Sequence, residues 1–285
     1  MKKFRMKACD AFLVLLAANL ANLAFGQFYN VSVREWDRDF KKNKWSFIDR
    51  VAVERARNSV ITNIFYTLYG GGMGPKLSNL LDVGCGEGVL SDFLHGPQRQ
   101  KYYGVDVSSE AIKSARKRRS QEGPPTDPYA NPINPNQFQV SSAADYTPPS
   151  GVTFGAIVFN EMLYYTDYAK IIPKFASFLE PPSAPANAAA ATAGAAASDR
   201  REKGTPVSAA GSDAGVAGGQ GGIMIISVWF SEGNEKMRDE IFNEARKHLE
   251  PVDVMELSGV SRNGAGPKAV KRKVNFRIEC FRRRV

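Results

Sequence analysis

The residues best suited to bind a ligand lie in one short stretch, which reads LLDVGCGEG from Leu80 to Gly88. Its glycines, Gly84, Gly86 and Gly88, let the backbone turn sharply and approach a ligand closely. Their spacing differs from the G-x-G-x-x-G of nicotinamide cofactors, whose third glycine would fall at Val89. No lysine follows the turn, which excludes a phosphate-binding P-loop. The stretch therefore predicts a glycine turn that binds another kind of ligand.

Two carboxylates accompany this turn. Asp106 lies 18 residues beyond Gly88, at the carboxyl end of the second predicted strand. A carboxylate at that position can accept hydrogen bonds from both hydroxyls of a ribose. Asp82, just before the glycines, could orient the turn or bind an ammonium group directly or through water. The glycine turn and Asp106 together predict a nucleoside-binding site.

Alternating strands and helices must position these residues. Apolar residues at helical spacing predict a long helix over 47–68, and short apolar runs predict strands on either side of further helices. The predicted strands are 79–83, 102–107, 138–140, 155–159, 223–230, 252–257 and 274–281. The other predicted helices are 88–94, 109–118, a stretch ending near 179, and 235–249. This order implies a doubly wound, Rossmann-like α/β domain with a mostly parallel sheet, which binds ligands at the carboxyl ends of its strands.

The motifs resemble those of the class I S-adenosylmethionine-dependent methyltransferases, over roughly residues 47–281. The first motif of that family, Asp-x-Gly-x-Gly-x-Gly, matches from Asp82 to Gly88. The resemblance implies that S-adenosyl-L-methionine is the cofactor, with its methionine part on the glycine turn, its ribose on Asp106 and its adenine near residues 141–145. Many members carry an Asp at the position of Ser142. The implied cofactor-contacting positions are Asp82, Gly84, Cys85, Gly86, Gly88, Asp106, Val107, Ser142, Ala143 and Asn160.

The fourth predicted strand runs into Asn160-Glu161-Met162-Leu163-Tyr164-Tyr165, which looks like a variant found in members similar to the nodulation N-methyltransferases. A sulfonium already activates its methyl group, so methyl transfer depends mainly on alignment and exclusion of water. Glu161 is the first candidate to orient or deprotonate an acceptor, or else it is a carboxylate at a helix N-terminus. Tyr164 and Tyr165 could shape the pocket or face the sulfonium, or else pack in the core.

The resemblance leaves the acceptor open. Transfer to O or N of a small molecule is the leading hypothesis; a protein or nucleic-acid methyltransferase, or a non-catalytic cofactor-binding module, are the alternatives. Nucleic acid is disfavoured, because Asn160-Glu161 replaces the Asn-Pro-Pro-aromatic turn of DNA adenine enzymes. The net charge of +9 comes largely from residues 262–285, which suggest a solvated chain end. Three cysteines and two histidines make a disulfide framework or a metal centre improbable.

Composition divides the chain into segments. Residues 1–26 combine a basic start with an apolar run and predict a signal peptide or anchor, hence the secretory pathway, or the cytoplasm if this leader is not a signal. Only this leader, if it is not cleaved, would contact a membrane. Residues 27–46 form an extension, and 47–285 form the methyltransferase domain. Residues 181–222 hold 14 Ala, 8 Gly and no aromatic residue, and predict a disordered insertion. Nothing indicates an oligomeric state.

Overall fold

The computed structural model describes residues 31–69, 78–120, 134–182, 221–230, 234–263 and 270–284. The predicted leader, 1–26, and residues 183–220 of the predicted insertion lie outside these ranges. A search of the described residues for a helix both long and apolar enough to cross a bilayer finds none.

A seven-stranded sheet forms the centre of the domain. Its strands are β1 Leu80–Val83, β2 Tyr102–Asp106, β3 Phe138–Val140, β4 Ala156–Asn160, β5 Ile223–Phe230, β6 Leu249–Asn263 and β7 Val270–Arg283. Their spatial order is β3-β2-β1-β4-β5-β7-β6; the first five are parallel, and β7 runs antiparallel between β5 and β6. All four residues of β1 are buried, and three of them, Leu80, Leu81 and Val83, are apolar.

Helices cover both faces of the sheet, which confirms the predicted doubly wound α/β fold. They are α1 Val33–Lys41, α2 Ala52–Tyr69, α3 Ser109–Ser120, α4 Tyr168–Ala176 and α5 Glu235–His248. Buried side chains of α2 and α3, such as Phe65 and Ile112, share one core with the sheet. Those of α4 and α5, such as Phe175 and Phe242, share the other. The carboxyl ends of β1, β2 and β4 therefore meet at one edge of a rigid, two-sided core.

The N-terminal part of the domain differs from the sequence prediction. The helix predicted over 47–68 begins only at Ala52, because 47–51 form turns. The extension 27–46 contains α1, which begins at a capping box: the Glu35 amide donates to Ser32 Oγ (3.3 Å), and the Ser32 amide donates to Glu35 Oε2 (3.1 Å). Helix α1 is therefore part of the folded domain.

The basic C-terminal segment is a strand inside the sheet, so the prediction of a solvated chain end was wrong. Its alternate residues Phe276, Ile278 and Cys280 are buried, which gives β7 the two-residue period of a strand. The arginines at its end bond to the protein: Arg283 donates to the carbonyl of Leu179, and Arg284 Nη2 donates to that of Arg246. The basic charge of the segment suggested a solvated chain end, whereas its apolar residues predicted the strand that the structure contains.

The two ends of the predicted insertion meet. The Gly222 amide donates to the Glu180 carbonyl (2.9 Å), and the Ile223 amide donates to the Gly155 carbonyl (2.8 Å). A Cβ on Gly221 would lie 3.1 Å from Pro182 Cγ. These contacts lie at the amino end of β5, whereas the ligand edge is at the carboxyl ends of the strands.

We predict that deleting residues 183–219 leaves the affinity for S-adenosylmethionine nearly unchanged. The residues on either side of this segment already lie together at the amino end of β5, whereas the ligand edge is at the carboxyl ends of the strands. Calorimetric titration of the deletion variant and of the full chain under the same conditions measures this. A large loss of affinity in the deletion variant would refute the placement.

Candidate functional site

The glycine turn leaves β1 in a conformation that few other residues adopt. Gly84 and Gly86 have φ of +75° and +54°, in the left-handed region. The amides of Gly84 and Cys85 both donate to the carbonyl of Val105, at 2.7 and 3.1 Å, so the turn is attached to β2. The turn is therefore held in place at the edge where the carboxylate of Asp106 ends β2.

Asp106 and the glycine turn converge, as the sequence predicted. The amide of Gly86 donates to Asp106 Oδ2 (2.9 Å), and the amide of Ser108 donates to Oδ1 (2.8 Å). Burial raises the pKa of Asp106, and these two amides act in the opposite direction. Each carboxylate oxygen retains a lone pair for a further donor. The carboxylate is thus oriented by the same turn that it accompanies.

The predicted adenine segment lies next to Asp106. The amide of Ser141 donates to the Asp106 carbonyl (2.9 Å), which brings 141–145 to the end of β2. Ser142 Oγ donates to Asp145 Oδ2 (2.6 Å), while Ala143 is buried and Val107 is half-buried. The Ser142 hydroxyl is therefore used within the segment, and the backbone and Ala143 remain the surfaces next to a ligand.

Glu161 follows β4 with a left-handed backbone, φ 62°, which is uncommon for a non-glycine residue and frequent at functional sites. Its carboxylate accepts hydrogen bonds from Ser227 Oγ (2.8 Å), from the Trp229 amide (2.8 Å) and from the Tyr164 hydroxyl (3.1 Å). The amide belongs to β5, so Glu161 does not cap a helix N-terminus. These bonds tie the ends of β4 and β5 to the turn that carries Tyr164 and Tyr165.

Helix α2 contributes three buried polar residues that the sequence analysis missed: Glu54, Arg57 and Asn58. Arg57 Nη2 lies 2.8 Å from Glu54 Oε2, and Nη1 lies 3.7 Å from Glu161 Oε1. The guanidinium stacks 4.4 Å from the centre of the Phe276 ring. In the sequence, the only indication of these residues was a charged side chain on the apolar face of a predicted helix. Such a side chain does not indicate which ligand it would bind.

Four buried polar atoms at this place have no hydrogen-bond partner within the described part of the chain: Arg57 Nε, Asn58 Nδ2, Asp82 Oδ1 and Asn160 Oδ1. Asn160 Nδ2 donates to Asn58 Oδ1 (2.9 Å), which holds the two amides together. Buried polar groups in proteins are nearly always satisfied. Two unused donors and two unused acceptors therefore indicate a polar ligand at the ends of β1 and β4.

Asp82 is buried at 2% exposure, and the Tyr102 hydroxyl donates to its Oδ2 (2.6 Å). Burial raises the pKa of Asp82 from 3.8 to about 7, against the effect of the Tyr102 hydrogen bond. The Asp82 carboxyl therefore loses its proton near neutral pH. It does so beside the buried polar atoms that lack hydrogen-bond partners.

We predict that Asp82 gives the free energy of unfolding a distinct pH dependence. The pKa is higher in the folded chain, so the unfolded chain releases its proton first, and stability falls as the pH rises from about 4 to about 7. The loss is on the order of 4 kcal/mol for the shift from 3.8 to about 7. Urea unfolding of the wild type and of Asp82→Asn across this range measures it; parallel curves for the two proteins would contradict the assignment.

Helix α1 lies against this edge. The Phe40 ring lies 3.5 Å from the position of a Cβ on Gly86. Asp37 Oδ1 accepts from Ser108 Oγ (2.7 Å) and from the amide of Glu110 (3.2 Å), which fixes α1 to the start of α3. The Trp36 ring meets Tyr165 edge to face at 4.9 Å. One helix therefore spans from the glycine turn to the tyrosines that follow β4.

Metal and thiol chemistry find no support in this region. Among the residues that the structure describes, no group of three His, Cys, Asp or Glu could hold a metal ion. Cys85 is buried, and burial raises the pKa of its thiol, which opposes formation of a thiolate nucleophile. Cys85 therefore serves as a small residue within the turn.

Residues 80–182 match the protein family described as "Methyltransferase domain". This range contains the glycine turn, Asp106, the segment 141–145 and Glu161. Residues 80–182 therefore carry a methyltransferase domain, in agreement with the resemblance to the class I S-adenosylmethionine-dependent methyltransferases. S-adenosylmethionine is the cofactor of this methyltransferase, as the motif resemblance implied. No curated protein matches the chain.

Several solved structures are similar to the chain at low sequence identity. Geranyl diphosphate C-methyltransferase from Streptomyces coelicolor is 12% identical, with a TM-score of 0.46 over 81% of this chain and 78% of that one. The methyltransferase domain of bacterial CtHen1 is 15% identical, with a TM-score of 0.45 over 81% and 99%. EvdMO1 is 10% identical, with a TM-score of 0.43 over 79% of this chain; the chain spans 41% of its length. We draw nothing about substrate from them.

Proposed function

We propose that this methyltransferase transfers a methyl group to O or N of a small-molecule acceptor. The set of unpartnered polar atoms between α2, β1 and β4 is the observation that carries the proposal, because it complements the amino-acid end of S-adenosylmethionine. Arg57 Nε and Asn58 Nδ2 would donate to the carboxylate of the cofactor, and Asp82 Oδ1 and Asn160 Oδ1 would accept from its ammonium group. Asp106 would accept from the ribose hydroxyls.

The bound cofactor supplies a methyl group that its sulfonium already activates. The chain has to orient the acceptor and exclude water. We assign the orienting role to Glu161 through Tyr164, because the carboxylate already accepts three hydrogen bonds and lies 3.7 Å from Arg57 Nη1. Tyr164 and Tyr165 are both half-buried and lie in the turn that follows Glu161.

Helix α1 favours a small acceptor over a macromolecule. Phe40 lies on the glycine turn and Trp36 lies on Tyr165, so the edge between these two points is covered. An acceptor beneath α1 has to fit between the turn and the tyrosines. A protein or nucleic-acid acceptor would need α1 to move aside. The looser likeness to the nodulation N-methyltransferases stays a prediction.

The test is incubation of the purified protein with methyl-labelled cofactor and a metabolite extract, followed by identification of labelled products. We expect label in a small molecule, lost in Glu161→Ala, while calorimetry shows that this variant still binds S-adenosylhomocysteine. Label in protein or RNA would favour the macromolecular alternative. Cofactor binding without labelled product from any extract would favour a non-catalytic module.

A further inference from the structure

We infer that the acceptor is an amine that carries an apolar or aromatic group, and that the methyl group goes to its nitrogen. This inference rests on the proposed function and narrows it. It depends on two features of the same edge of the domain: a group of contiguous aromatic rings and an excess of buried negative charge.

The aromatic wall consists of Trp36, Trp45, Tyr164 and Tyr165. The Tyr164 and Tyr165 rings are 4.6 Å apart, the Tyr165 and Trp36 rings 4.9 Å, and the Trp36 and Trp45 rings 5.5 Å. All four residues are half-buried. The faces of such rings carry negative potential and attract cations, and their area binds apolar groups.

The charge behind the wall is negative. Glu161 is attached to the wall through the Tyr164 hydroxyl, and Glu54 lies buried nearby. Arg57 is the one cation that contacts this group in the described chain, and it already faces both Glu54 and Glu161. A second anion from a carboxylate or phosphate acceptor would meet repulsion in a medium of low dielectric, whereas an ammonium group would be attracted.

The reaction balances without a base in the protein. The amine binds as a cation and loses one proton to solvent, which frees the lone pair of its nitrogen. The nitrogen lone pair then forms the N–CH₃ bond as the carbon–sulfur bond breaks, and the bonding pair stays on sulfur. The methylated nitrogen then carries the positive charge. It loses its second proton to solvent, which leaves a neutral methylated amine. Glu161 therefore holds Tyr164 and supplies charge, and it removes no proton.

The chain offers its own probe, because all three of its tryptophans lie at this edge: Trp36 and Trp45 in the wall, and Trp229, whose amide bonds to Glu161. Quenching of tryptophan fluorescence can measure the binding of three matched ligands in the presence of S-adenosylhomocysteine: 2-phenylethylamine, 2-phenylethanol and 3-phenylpropanoate. We expect the amine to bind about tenfold more tightly than the carboxylate, with the alcohol between them. Equal or tighter binding of the carboxylate overturns the inference.

Variants separate the two features. Glu161→Gln should weaken binding of the amine several-fold and leave that of the alcohol unchanged, because only the charge is removed. Trp36→Leu should weaken both, since it removes ring area. Tyr66→Phe, on α2 outside the wall, is the control and should change neither. If Glu161→Gln weakens binding of the amine and of the alcohol equally, the charge of Glu161 does not contribute to amine binding and the inference fails.

Calorimetry with S-adenosylhomocysteine on the same samples distinguishes a failure of the proposed function from a failure of the amine inference. Absence of its binding would overturn the proposed function itself. Binding of S-adenosylhomocysteine, combined with no binding of the amine up to about 10 mM, would overturn only the amine inference.

Discussion

The Asp106→Ala variant is expected to bind S-adenosylmethionine about 10- to 100-fold more weakly than the wild type. The carboxylate would form charge-assisted bonds with the ribose, and losing them costs about 1–3 kcal/mol. It also accepts from the amides of Gly86 and Ser108, so the variant frees the glycine turn at the same time. Both effects act on the same ligand. Calorimetric titration measures the change.

A matched control removes a carboxylate elsewhere. Asp239 on α5 is 54% exposed at its side chain and is paired with Arg238. Asp239→Ala should leave the affinity unchanged. Wild-type affinity in Asp106→Ala would mean that the nucleoside does not lie between the turn and β2.

The second large effect is on stability. Gly84→Ala is expected to lower the free energy of unfolding by about 2–5 kcal/mol, because left-handed backbone costs about 1–2 kcal/mol for alanine and overpacking costs about 1–3 kcal/mol. The added methyl would meet Met162 Cβ at 2.8 Å, at a φ of +75°. Urea unfolding at one pH measures the loss.

Two other glycines resolve this effect into its parts. Gly151 has a φ of +74° with nothing within 4 Å of its Cβ position, so Gly151→Ala should cost only the backbone strain. At Gly86 the new methyl would meet only the Phe40 ring, at 3.5 Å, so Gly86→Ala should resemble Gly151→Ala in stability and lose cofactor affinity in addition. Equal stability of Gly84→Ala and Gly151→Ala would remove the contact with Met162 from the explanation.

The cofactor half of the site could be predicted from the sequence because it is local. The glycine turn needs backbone without Cβ atoms, and Asp106 ends the next strand, so both leave a pattern along the chain. The parallel strands β1 to β5 were predictable for a similar reason, since buried strands are continuous apolar runs. The fold prediction is confirmed, and the contact between the glycine turn and Asp106 is present in the structure.

The rest depends on contacts between distant segments. Arg57 and Asn58 lie on a helix, and their partners Glu161 and Asn160 follow them by about a hundred residues, so no spacing reveals the pairs. The strand predicted over 274–281 is present as part of β7, but the bonds of its terminal arginines to Leu179 and Arg246 join distant segments and leave no local pattern. The position of helix α1 could not be predicted either, because its contacts with Gly86 and Tyr165 join segments that are distant in the sequence.

The most direct measurement is a crystal structure of the protein with S-adenosylhomocysteine. We expect the ribose hydroxyls within about 2.5–3.2 Å of the Asp106 carboxylate, and the amino-acid end between Arg57 and Asp82, so that the four buried atoms without partners gain them. A ligand bound elsewhere, or a ribose facing away from Asp106 with those four atoms still unpartnered, would contradict the account.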